Sequence, residues 1–184
     1  MQPKPFLYSI HRGLWSLTTL LTALLAGFLT SHSVMLGRYF TWMIENDHYS
    51  SFVQSFPLFR AATQANIHYN LFFFTSLIIG ILWTVSCFII RKDRLIALIA
   101  GLSSFWVGSA FFATGFSDME TAVCSGVADE ATLQLFVSLN LPLHTTFAVF
   151  YSLAFLLLLG TGCSLRDQRP QPASAGNPAA PLPG

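Results

Sequence analysis

Residues 61–90 read AATQANIHYNLFFFTSLIIGILWTVSCFII, thirty consecutive positions without Asp, Glu, Lys or Arg, closed by Arg60 on one side and Arg91-Lys92 on the other. A helix rises about 1.5 Å per residue, so roughly 20 apolar residues cross a hydrocarbon core. Three further uncharged gaps match this one: 25 positions between Arg12 and Arg38, 23 between Arg94 and Asp118, and 35 between Glu130 and Arg166. The runs are continuously apolar and do not alternate, which favours helices over barrel strands. The expected fold is all-α, an integral membrane four-helix bundle occupying residues 14–161, with spans at about 14–36, 68–90, 95–116 and 139–161.

Composition agrees. Of 184 residues, 53% are hydrophobic and 9% charged, against about 25% charged in a soluble domain. A net charge of +1 leaves no basic excess for a phosphate backbone, so nucleic acid is excluded as a partner. Lys4, Arg12, Arg91, Lys92, Arg94, Arg166 and Arg169 fall on one side of the expected spans, and only Arg38 and Arg60 on the other. Basic residues stay inside, which makes this a multi-pass cell-membrane protein embedded in the lipid bilayer with both termini cytoplasmic. Residues 1–13 form the cytoplasmic N-terminus. Residues 162–184, with Pro170, Pro172, Pro178, Pro181 and Pro183, read as a disordered Pro-rich cytoplasmic tail. The first apolar stretch is too long for a cleaved signal and ends without Ala-x-Ala.

The external connection from Gly37 to Ile67 sets Phe40, Ile44, Phe52, Phe56 and Phe59 among polar residues, the pattern of one or two short amphipathic helices interrupted at Pro57. The third connection, about 117–138, reads as an irregular loop. Ala97, Gly101, Ser104, Gly108 and Gly115 share one stripe of the third span, and Thr19, Ala23, Ala26, Thr30 and Gly37 one stripe of the first; both are expected packing faces. Arg38 and Arg60 have Glu45, Asp47 or lipid phosphate as expected partners. Three cysteines without a Cys-x-x-Cys offer no thiol redox centre, disulfide framework or zinc ribbon.

Histidines carry the chemistry. His32 lies 20 residues from Arg12, His68 23 from Arg91 and His144 22 from Arg166, so all three sit roughly 30 to 35 Å from the inner boundary. Neutral imidazole suits copper, iron or zinc, which makes His32, His68 and His144 candidate metal ligands, with copper, iron or no cofactor at all left open. No His-x-x-x-His or Glu-x-x-His spacing is present. His144 shares a stripe with Asn140, Ala148 and Tyr151. In the catalytic reading His144 is the acid or base, His68 helps it, and Asn140 and Tyr151 orient the substrate. Asn70, Glu45, Asp47 and Asp118 are further candidates for that pocket. His32 falls about 140° from the small-residue stripe of its own helix, which points it toward headgroups.

Ala26-Gly27-Phe28 through Ser33-Val34-Met35, the long external connection, and Asn140-Leu141-Pro142-Leu143-His144 leading an apolar helix resemble the anthrone-oxygenase-like four-helix membrane family. The resemblance spans about residues 14–161 and implies cofactor-independent oxygenation of polycyclic phenolic substrates. His144 stands where that family's Asn-x-Pro-Leu-Asn block has its second Asn. The expected function is an outward-facing His/Asn pocket, in an oxygenase or oxidoreductase of a lipophilic small molecule. The rival is a non-catalytic structural or accessory subunit of a larger membrane complex, meeting membrane protein partners or forming a homo-oligomer through its small-residue faces. A transporter is disfavoured, because the spans hold no Asp, Glu, Lys or Arg for ion coupling.

Overall fold

A computed structural model describes residues 5–166. The fold is all-α. Helix α1 (Pro5–Ser31) runs through a π-helical turn (His32–Leu36) into α2 (Gly37–Glu45), and α3 (Tyr49–Thr63) follows. Helix α4 (Ala65–Ile90) returns, then α5 (Arg94–Ile96), a second π turn (Ala97–Gly101) and α6 (Ser103–Ala113) form a broken limb. Helices α7 (Phe116–Ser125) and α8 (Glu130–Arg166) complete the chain. Three segments are long and apolar enough to cross a membrane, Phe6–Glu45, Ile67–Ile90 and Glu130–Gly162; the α5–α6 limb, bent by 44°, makes a fourth if it counts as one span. Lys4, Arg169 and the prolines of the expected tail lie outside the described residues, and α8 continues helical past Thr161 to Arg166.

The polarity of the bundle is inverted relative to a soluble one. Leu20, Leu24, Ile78, Phe88, Leu153 and Leu156 are exposed, whereas Thr18, Thr22, Ser76, Thr84, Ser104 and Tyr151 are buried. In lipid the apolar side chains have no reason to hide and the polar ones must find one another. The Tyr151 hydroxyl donates to Ser104 Oγ at 2.9 Å, and Ser104 donates to Ser76 Oγ at 2.9 Å, tying α8, α6 and α4 together. Trp15 Nε1 donates to the Leu158 carbonyl at 2.9 Å, joining α1 to α8.

Small residues set the α4 to α5–α6 contact as expected. A Cβ on Gly80 would run into the Gly101 carbonyl, and one on Gly101 would stand 2.8 Å from both Thr84 Oγ1 and the Trp83 ring. Gly115 takes no part in this face; it ends the limb at φ +68°. Of the stripe expected for α1, Thr19, Ala26 and Gly37 are buried and Thr30 is exposed; the buried arc is wider and also takes in Thr18, Thr22, Leu25, Leu29 and His32. Helix α1 packs against both α4 and α8. Ala26 therefore shares a core cluster with Leu25 and Leu29, against Val107, Phe147 and Tyr151.

Two local expectations are corrected. Pro57 does not interrupt α3. A proline removes one backbone donor, and the helix is held around it by Phe52 and Phe56, which pack with Phe40 and Phe116 in the outer core. Residues of the expected third loop form α7, bracketed by Gly115 and Gly126 at positive φ, with Phe116, Val123 and Cys124 turned into that same core. The last helix begins well before residue 139, where Asp129 Oδ1 accepts the Thr132 amide at 2.8 Å and closes its N-terminus.

Candidate functional site

The two histidines expected on different sides of the problem meet. His32, at the start of the first π turn, and His144, on α8, stack with ring centroids 4.0 Å apart and planes inclined by 26°. Two imidazolium rings at that separation would repel, so the pair holds at most one positive charge. His144 Nδ1 lies 2.8 Å from the Asn140 carbonyl. A carbonyl only accepts, so Nδ1 carries the hydrogen and Nε2 of the neutral ring carries the lone pair.

Asn140 does more than hold that tautomer. Its Nδ2 donates to the Gly37 carbonyl at 2.9 Å, with Thr41 Oγ1 at 3.4 Å, so one residue of α8 grips the helix just beyond the turn that presents His32. The turn itself closes by the Gly37 amide reaching back to the His32 carbonyl. Asn140 Oδ1 and His32 Nε2 are both buried without a hydrogen-bond partner. Phe40 meets the His32 ring edge-on at 6.2 Å, and Phe116 meets His144 at 5.4 Å.

Above this pair opens a cavity of about 340 Å³. Its walls include Phe28, Phe40, Phe56, Tyr69 and Phe111, and its rim carries Arg60, Asn70 and Glu120. A second cavity of about 110 Å³ lies between α4 and α6 and takes in Phe73, Phe74, Gly108 and Phe147. Leu29, Tyr69, Asn70, Phe111, Phe112 and His144 line both. The lining mixes aromatic rings with polar groups: His32, Arg60, Asn70, Ser117, Glu120, Thr121 and His144 in the larger cavity, and Asn70 and His144 in the smaller.

Electrostatics at the rim centre on Arg60 and Glu120. Burial raises the Glu120 carboxyl above its ordinary range, and the Arg60 charge pulls it the other way. The Arg60 guanidinium lies 5.7 Å over the Phe56 ring, and its charge opposes the burial that pushes the Cys124 thiol up to about 12.

Of the residues expected from the sequence, His32, His144 and Asn70 line the chamber, and Asn140 stands behind His144. His68 is exposed at the start of α4 and lines neither cavity. Tyr151 is buried in its bond to Ser104. Glu45, Asp47 and Asp118 are exposed and absent from both linings. Equal height along parallel helices leaves direction around each axis free, and that direction separates His68 from the other two. Among the described residues no group of three or more His, Cys, Asp or Glu could hold a metal ion. Sequence reasoning missed Arg60 and Glu120 as site residues. Ser117, Glu120 and Thr121 share one face of α7, a signal that is visible only once that segment is read as helix. No family model, curated protein or solved structure matches this chain.

Proposed function

We infer that this chain is a four-span membrane protein that holds a flat, lipophilic molecule bearing a hydroxyl group in the aromatic chamber and acts on it as an oxidoreductase or oxygenase, with His144 as the base. The observation that carries this reading is the floor: His144, whose Nε2 lone pair is fixed by the Asn140 carbonyl, stacked on His32, whose own Nε2 lacks a partner, both lining the chamber. Nε2 of His144, which lines the chamber, accepts, so the complementary group is an O–H or N–H donor. The surrounding Phe and Tyr rings suit a planar apolar body. In this reaction the ligand hydroxyl proton passes to His144 Nε2. The imidazolium is stabilised by the Asn140 carbonyl and by the face of neutral His32, and an electron-rich oxyanion remains. Dioxygen, itself lipid-soluble, is the oxidant that takes electrons from that anion. Basic-residue asymmetry turns the chamber outward, with both termini cytoplasmic.

The accessory-subunit rival loses one support. Gly101 is occupied by Trp83 and Thr84, and a Cβ on Gly108 would meet Phe73, all within the same chain. Purification in mild detergent followed by organic extraction and mass spectrometry tests the reading. A hydroxylated aromatic compound is expected from the native protein and absent from His144→Leu, with ligand-dependent oxygen uptake lost in parallel. Identical extracts free of such a compound, together with stable copurification of other subunits, would sink it.

A further inference from the structure

We propose that the slit between α4 and α6 is a lateral portal, through which the ligand moves between the bilayer hydrocarbon and the stacked histidines, with the Phe73 ring as its gate. This rests on the chamber being a ligand site. The outer lips of the slit, Phe74 and Phe112, are 55% and 70% exposed. They stand on helix faces that also expose Leu71, Ile78 and Phe105, the surface that meets acyl chains. The inner end is His144 and Phe147, both buried. Because His144 borders both cavities, the slit reaches the reactive ring.

Two further features give the slit a direction and a moving part. The other mouth is roofed by α3 and α7 and rimmed by Arg60 and Glu120, so a lipid-dissolved molecule using it would leave the hydrocarbon and pass a charged pair. The slit presents only Asn70 as a polar side chain before His144 is reached, apart from the Tyr69 hydroxyl. Phe73 lies against the backbone of α6 because residue 108 is glycine; a Cβ there would stand 2.9 Å from Phe73 Cζ. Its ring contacts are with Tyr69 at 6.2 Å and Phe74 at 5.7 Å, and a phenyl ring turns aside without breaking a hydrogen bond.

The experiment uses the full chain in phosphatidylcholine vesicles, with 1-naphthol dissolved in the bilayer as probe and stopped-flow fluorescence as readout. Phe73→Ala should speed association and dissociation together, and Gly108→Ile should slow both by about tenfold, the effect of about 1.4 kcal/mol on a barrier. Kd should change little in either. Thr121→Trp narrows the mouth opposite the slit and should not slow association, while His144→Ala should weaken Kd and keep the association rate. If Gly108→Ile does not fold, Phe73→Ala decides alone. Saturable binding whose rates ignore Phe73 and Gly108 but fall in Thr121→Trp would overturn the portal and leave the chamber standing. No saturable binding by the native protein would overturn both.

Discussion

Asn140→Leu separates a residue kept for the ligand from one kept for the fold. Leucine keeps the branching at Cγ but is the larger side chain, which adds a packing cost to the terms below, and the His144 hydrogen bond survives because it goes to the backbone carbonyl. What disappears is the 2.9 Å bond from Nδ2 to the Gly37 carbonyl, together with Oδ1, which is buried without a partner. A side-chain hydrogen bond inside a membrane protein contributes about 0.6 kcal/mol on average and up to about 1.7. An unsatisfied buried acceptor costs about 1 to 3 kcal/mol. Before packing, the net change therefore runs from about 0.7 kcal/mol of loss to about 2.4 of gain. Gly37 keeps its helical partner in α2, so its carbonyl is not orphaned. Reversible unfolding by sodium dodecyl sulfate in mixed micelles, followed by helical circular dichroism, measures that difference. Asn140 lines neither cavity and acts through the turn that presents His32, so binding of 1-naphthol in vesicles should fall by about tenfold, the equivalent of one buried hydrogen bond lost from a displaced site. A loss of stability beyond about 3 kcal/mol with binding unchanged would refute the reasoning, because Asn140 would then be a structural clamp.

His32→Ala should abolish probe binding while His68→Ala leaves it untouched, read by the same titration, since only the first residue lines the chamber. Gly80→Ala should destabilise the protein by about 1 to 3 kcal/mol in detergent unfolding, as overpacking does, because its Cβ meets the Gly101 carbonyl; Gly27→Ala, which meets nothing, should be neutral or slightly stabilising. Glu120 has a raised folded-state pKa, so the folded protein binds its proton more tightly than the unfolded chain. Stability from this group is therefore gained as pH falls through the raised value and lost above it, and Glu120→Gln should flatten the unfolding curve against pH and be the more stable form at neutral pH. Cys124, buried and pushed up to about 12, should resist a water-soluble maleimide at neutral pH until the protein is unfolded, as peptide mass spectrometry will show.

Much of the frame was legible because crossing a bilayer imposes a length. The uncharged gap from Arg60 to Arg91 contains all of α4, and the gap ending at Arg166 contains most of α8. Helix ends were less legible: α1 continues through His32–Leu36 into α2 as one membrane-length segment, since a π turn leaves no mark in hydropathy. The shared height of the histidines was readable from residue counts, and it brought His32 and His144 to one level. Which way each ring points was not. The small-residue stripe marked one edge of the buried arc of α1, and a helix packed against two neighbours buries an arc wide enough to take in His32 at the other edge. Glu120 was hidden for a different reason: α7 takes its helical form from packing of Phe116 and Val123 on Phe136 and Phe52, a tertiary cause that local composition does not carry.

Unpartnered buried atoms occur at both ends of the bundle, so they do not identify the ligand site by themselves. At the His11 end, Ser86 donates to the Trp83 carbonyl at 2.6 Å and so accepts from His11 Nδ1 at 2.8 Å, which leaves Nε2 as an acceptor. The other orphan there is Trp83 Nε1, a donor, on a ring stacked 6.3 Å from that of His11. Donor and acceptor are complementary there. Thr18 and Thr22 hydroxyls can rotate toward carbonyls of their own helix. At the His144 end the unpartnered atoms are His32 Nε2 and Asn140 Oδ1. His32 Nε2 is a donor in one tautomer, so this pair too can be complementary, and orphaned atoms do not separate the two ends. What separates them is access: His32 and His144 line a chamber of about 340 Å³, and His144 Nε2, made an acceptor by the Asn140 carbonyl, is the group there that calls for a donor.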